Sequence, residues 1–101
     1  MTDDDIRQVS TILYGNVDRL RAAAAIGRLS GKPVSVSSVA REAGMDYRRA
    51  QEQVAWFKKG RLLVLEEDAG STEKHYRVVD ISYWTAATHL EAELQDREDP
   101  L

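Results

Sequence analysis

Residues 36–77, VSSVAREAGMDYRRAQEQVAWFKKGRLLVLEEDAGSTEKHYR, constrain the fold of this 101-residue chain more than any other stretch. Val39 and Ala43 share the inner side of a short helix over residues 38–43, and Ser37 or Ser35 stands ahead of it as the N-cap. Gly44 follows as a residue free to take left-handed backbone, Met45 packs into the turn, and Asp46 is placed to cap a second helix. That helix, residues 47–59, repeats Ala50, Val54 and Phe57 at spacings of four and three, which defines a buried stripe. Two strands follow over 62–67 and 74–79, with Leu63, Leu65, Tyr76 and Val78 as the alternating inward contacts and DAGSTE as the turn between them. The pattern is a helix-turn-helix with a hairpin behind it.

Helices flank this unit. Residues 4–14 place Ile6, Val9, Ile12 and Leu13 at helical spacing, and Asp3, Asp4 and Asp5 suit the positive end of the helix dipole. Gly15 and Asn16 interrupt, and a second helix over 17–29 carries Leu20, the run Ala22 to Ala25, Ile26 and Leu29, whose small side chains admit a close neighbour. Gly31, Lys32 and Pro33 end it, and Val34 and Val36 add a short strand beside the hairpin. The last helix, 82–96, lines Trp84, Ala87, Leu90 and Leu94 along one side. So small a core predicts that this helix packs on the first helix or on a partner chain, with residues 97–101 frayed. Trp56 and Trp84 read as packing residues.

The length, with 43% apolar and 31% charged residues, sets one domain over 1–101. Absence of cysteine excludes thiolate metal sensing and disulfides. The acidic start MTDDDIRQ and the lack of a long apolar run predict no membrane span and a cytoplasmic location. Net charge is −3, yet its distribution is uneven: residues 1–15 carry −2, residues 91–101 carry −4, and the remainder carries +3. Arg48, Arg49, Lys58, Lys59 and Arg61 crowd on and just after one helix.

Opposite the stripe Ala50, Val54 and Phe57, the first two turns of that helix hold Tyr47, Arg48, Gln51 and Glu52, flanked by Arg49 and Gln53. Arginine bonds guanine in bidentate fashion and glutamine pairs with adenine, so this face is a candidate reader of double-stranded DNA. Tyr47 suits a phosphate or a thymine methyl, or packing on the preceding helix. Glu52 suits a cytosine amino group or a pairing with Arg48 or Arg49. Lys58, with Lys32, Lys59 and Arg61, is a candidate phosphate contact, as are Lys74 and Arg77 on the hairpin. His89 and Glu93 stand four apart on the last helix, but two ligands do not complete a metal site, and no metal or cofactor is expected. With no phosphate loop and no nucleophile beside a base, the chain is not expected to be an enzyme.

The order helix, helix, VSVSSVAREAGMDYRRAQEQVAWFKKGRLL, hairpin, helix resembles the winged helix-turn-helix transcription regulators of the ArsR type, with the MarR type close behind. The resemblance covers about residues 9–95. It rests on Asp18-Arg19-Leu20-Arg21, the segment V-x-x-V-A-x-E-A-G, and Val54 through Leu63. It implies a mainly α fold of five helices plus a two- or three-stranded antiparallel wing, and a sequence-specific DNA-binding regulator that represses by occupying promoter DNA. It also implies a homodimer joined by the first and last helices through Ile6, Val9, Leu13, Trp84, Leu90 and Leu94, and leaves room for a small-molecule effector. Two departures stand out. Gly60 is followed by Arg61 where the family has glycine directly before the paired aliphatics, which moves the expected helix end one residue earlier. The wing holds Glu66, Glu67, Asp68 and Glu73 against Lys74, His75 and Arg77 where the family is basic, so its tip suits phosphate poorly. Net acidity and the acidic wing favour the alternative, a winged-helix module that binds a protein and reads no specific DNA.

Overall fold

A computed structural model describes residues 3–29, 31–66 and 73–96. The elements run α1 (Asp3–Tyr14), α2 (Arg19–Arg28), α3 (Val36–Ala43), α4 (Tyr47–Lys59), β1 (Leu63–Glu66), β2 (His75–Val78) and α5 (Ser82–Asp96). This is a winged helix, five helices with a two-stranded antiparallel hairpin.

The hub is α2. Ala22 through Ile26 are fully buried, and the small side chains let α5 lie directly against them. A Cβ on Gly27 would meet Thr88 Oγ1 at 2.2 Å and the Trp84 carbonyl oxygen at 2.7 Å, so glycine is demanded by the approach of α5. This packing corrects the expectation that α5 rests chiefly on α1 or on another chain. It also engages much of the side expected to meet a partner in this chain's own core. Ile6, Trp84 and Leu94 are 2%, 4% and 4% exposed within this one chain, Val9 and Leu90 are half-buried against the same core, and Leu13 is exposed. Side chains already covered by their own fold have no further area to lose to a partner. Trp84 stacks edge-on with Phe57 at 5.0 Å and donates its indole N–H to the Val79 carbonyl. At the far end of α2, Arg28 ties three helices together through Glu91 of α5 and both the carboxylate and the carbonyl of Glu42 on α3.

Helix α3 begins two residues before its expected start. Ser35 accepts from the Ser38 N–H at 3.0 Å while the Ser38 hydroxyl accepts from the Ser35 N–H at 2.8 Å, a reciprocal cap that draws Val36 into the first turn. Gly44, at φ +66°, ends it as expected, and the Asp46 carboxylate accepts from the Arg49 N–H to start α4. The other end of α4 falls where the spacing placed it. The helix runs to Lys59, and the left-handed position that follows is filled by Arg61 at φ 62°, one residue after Gly60. Arg61 N–H donates to Lys58 O and Leu62 N–H to Phe57 O, the paired bonds that close a helix with a left-handed residue.

The wing pairs Leu63 with Val78 and Leu65 with Tyr76. Leu63 and Tyr76 are buried, whereas Leu65, expected on the inner face, is 41% exposed. Val34 adds an isolated bridge to Tyr76, hydrogen-bonded in both directions, where a third short strand was expected. Glu67, Asp68 and residues 97–101, named above for the wing tip and the frayed end, lie outside the described residues. No helix among the described residues is long and apolar enough to cross a membrane.

Candidate nucleic-acid interface

Helix α4 presents two flanks of unlike character. Ala50, Val54 and Phe57 are buried as the periodicity requires, and on the outer side Tyr47, Arg48, Gln51, Glu52 and Lys58 are exposed. The Arg48 side chain is 89% exposed and lies 4.0 Å from Glu52 one turn on, a distance and exposure at which the pair constrains little. Arg48 and Gln51 are therefore available to an incoming base edge.

The other flank is fastened to α2. Arg49, grouped by sequence with the outer face, grips Asp18 with two guanidinium nitrogens, Nε at 3.0 Å from Oδ2 and the second to Oδ1. Asp18 is buried, and the hydrogen bond from Arg49 holds its carboxyl below the usual range against the opposing effect of desolvation. Gln53, expected to flank the outer face, is 2% exposed and points into the molecule. Its Oε1 accepts from Arg19 Nε at 2.7 Å, and its Nε2 donates to Asn16 Oδ1 at 2.9 Å. Arg19 is 8% exposed, and burial pushes its guanidinium pKa down. The same guanidinium lies 4.3 Å over the ring of Trp56. Trp56 itself is 54% exposed, so it is a platform for Arg19 on the surface where a core packing residue was expected.

Asn16, Asp18 and Arg19 thus fasten the inner flank of α4 to the start of α2. Their pairings span more than thirty residues of sequence, and no local spacing announces them. The run Asp18-Arg19-Leu20-Arg21, noted for its resemblance, was the available signal.

On the wing, Lys74 and Arg77 are exposed. Tyr47, Gln51, Val54, Ala55 and Lys58 of α4 form one wall of a cleft of about 360 Å³ whose other wall includes Lys74 and Tyr76. Glu73 is exposed at its edge but not loose: Ser37, through hydroxyl and backbone, and the Ser35 side chain bond to its carboxylate and hold it below the usual range. His89 and Glu93 are both exposed on α5, and among the described residues no group of three or more histidines and carboxylates is placed to hold a metal ion.

No described protein family matches the chain, and no curated protein matches it. Solved structures do resemble it. MepR, a transcription regulator of the Staphylococcus aureus multidrug efflux pump MepA, aligns with a TM-score of 0.66 and 10% identity over 94% of this chain and 71% of its own. The adhesin competence repressor AdcR of Streptococcus pyogenes aligns with a TM-score of 0.62 and 16% identity over 89% and 72%. Sso10a-2, a DNA-binding protein from Sulfolobus solfataricus, gives 0.56 and 22% over 78% and 80%. At these identities the likeness is one of fold: the chain has the winged-helix architecture that these proteins share.

Proposed function

We propose that this chain is a regulator that binds double-stranded DNA by laying α4 in a major groove. The observation that carries the reading is the exposure of Arg48 and Gln51 opposite a fully buried stripe, on a helix whose inner flank is anchored by Asp18 and Arg19. An anchored helix holds its outer side chains in register with base edges, and those two side chains have the donors and acceptors that discriminate guanine and adenine. Lys58, Lys74 and Arg77 supply phosphate contacts around them. Arg49 is assigned to buttressing α4 through Asp18. Tyr47 is exposed and borders the cleft, which favours a phosphate or thymine contact over packing on α3.

The resemblance to ArsR- and MarR-type regulators supports a repressor that works as a homodimer, and the fold is common to both types. With Ile6, Trp84 and Leu94 covered, the dimer contact is drawn to Leu13 and its neighbour Ile12, which are 57% and 72% exposed. Mobility-shift titration of duplexes selected from a random pool, at two salt concentrations, tests the reading. Binding should weaken with salt, and Arg48→Ala should cost about 1–3 kcal/mol of affinity while the melting temperature holds. The competing protein-interaction reading draws on the net charge of −3 and the exposed Glu66 and Glu73. It prevails if no duplex binds at low salt.

A further inference from the structure

The cleft between α4 and the wing carries a charge that opposes the function proposed above. A hairpin lying beside a helix that enters a major groove meets the sugar-phosphate strand bordering that groove. Lys58 and Lys74, one from each side of the cleft, are suited to receive it, and Glu73 stands in the same lining. An exposed carboxylate near a phosphate ordinarily swings away into water. Glu73 is restrained from doing so, because the Ser37 side chain and backbone and the Ser35 side chain bond to its carboxylate beside the first turn of α3. The strand that follows it, β2, is joined to the segment ahead of α3: Tyr76 N–H donates to Val34 O at 2.7 Å, and Val34 N–H donates to Tyr76 O at 3.4 Å. The pairing of Ser35 with Ser38 then stiffens the seat itself.

Resting on the DNA-binding reading, we propose that Glu73 is a built-in brake on DNA affinity, a carboxylate latched to α3 at the position where it faces the phosphate strand between α4 and the wing. The latch explains an acidic residue at this place in a DNA-binding surface. It spends the carboxylate on holding the wing to the helix-turn-helix and sets the complex to dissociate faster than the surrounding lysines alone would allow. The fixed charge acts through the short distance to phosphate, so salt mutes it.

Anisotropy titration of the full chain against one selected duplex tests this, with wild type, Glu73→Gln, Ser37→Ala and Lys74→Gln compared at two salt concentrations and each checked by thermal melting. Glu73→Gln should bind about 3–10-fold tighter at low salt, with the gap narrowing as salt rises. Ser37→Ala, which removes one of the three bonds to the carboxylate and keeps its charge, should tighten binding by a smaller factor, and Lys74→Gln should weaken it. A folded Glu73→Gln protein that binds no tighter than a binding wild type overturns the brake and leaves the DNA reading intact. If neither protein binds and Arg48→Ala changes nothing, the DNA reading has failed and the brake falls with it.

Discussion

Arg48 and Arg49 are neighbours in sequence with the same side chain, and they have opposite fates. Arg48 stands almost wholly in solvent, and Arg49 is clamped on a buried aspartate of another helix. Gln51 and Gln53 repeat the contrast, one exposed and one 2% exposed in a network with Arg19 and Asn16. A step of one or two residues turns a side chain through roughly 100° or 200° around a helix, enough to exchange groove for interior. The lesson is that the polar face of α4 divides into an exposed edge, the proposed reading edge, and a fastening edge, and the division is made by where α2 lies.

The contrast breaks most visibly at Gln53. Replacing Gln53 with alanine strips the hydrogen-bond partner from a guanidinium that is 8% exposed, and should cost about 2–3 kcal/mol of folding stability in a denaturant titration. Gln51→Ala should leave stability within about 0.5 kcal/mol and lower only DNA affinity. A stable Gln53→Ala protein would erase the distinction between the edges.

Arg49→Ala should cost about 1–2 kcal/mol of stability, since it takes from the buried Asp18 its main partner, with the loss moderated by the charges of Arg7 and Arg21 and because the Arg49 side chain is 40% exposed. Its effect on DNA binding should follow the fraction folded, whereas Arg48→Ala should weaken binding with melting unchanged. Equal effects of the two arginines on affinity, at equal stability, would place Arg49 on the reading edge after all.

The fastening edge should also show in acid. The Asp18 carboxyl titrates lower in the folded chain than in the unfolded one, so its contribution is fully present above the unfolded value and is lost as pH falls through the lowered folded value. Melting temperature followed through that acid range should decline less steeply in Asp18→Asn than in wild type, and parallel curves would argue against the pairing.

The smallest effect is expected at the end of α4. Arg61 holds left-handed backbone at φ 62°, which glycine adopts without strain, so Arg61→Gly should raise stability by about 1 kcal/mol. Should affinity fall while stability rises, Arg61 joins the phosphate contacts and the reading edge extends to the wing root.

The fold was legible because its signals are local. Ala50, Val54 and Phe57 announce a stripe by spacing, Gly44 and Asp46 announce a turn and a cap, and the alanine run on α2 announces a close helix contact. The outer residues of α4 followed from the stripe. The burial of Gln53 and the pairing of Arg49 with Asp18 were not legible because both residues lie at the border of that stripe, where a partner at the start of α2 decides between surface and interior. An apolar side of α5 is the same in sequence whether it meets α2, α1 or another chain.

The sequence by itself determined the winged-helix architecture, the buried stripe of α4 and the exposure of Arg48 and Gln51, because periodicity, capping and turn chemistry act over a few residues. Only the tertiary structure decided which polar groups hold the molecule together. The pairings Asp18 with Arg49, Arg19 with Gln53, and Glu73 with Ser37 join distant segments, and a hydrogen bond between such groups exists only once packing has brought them within reach.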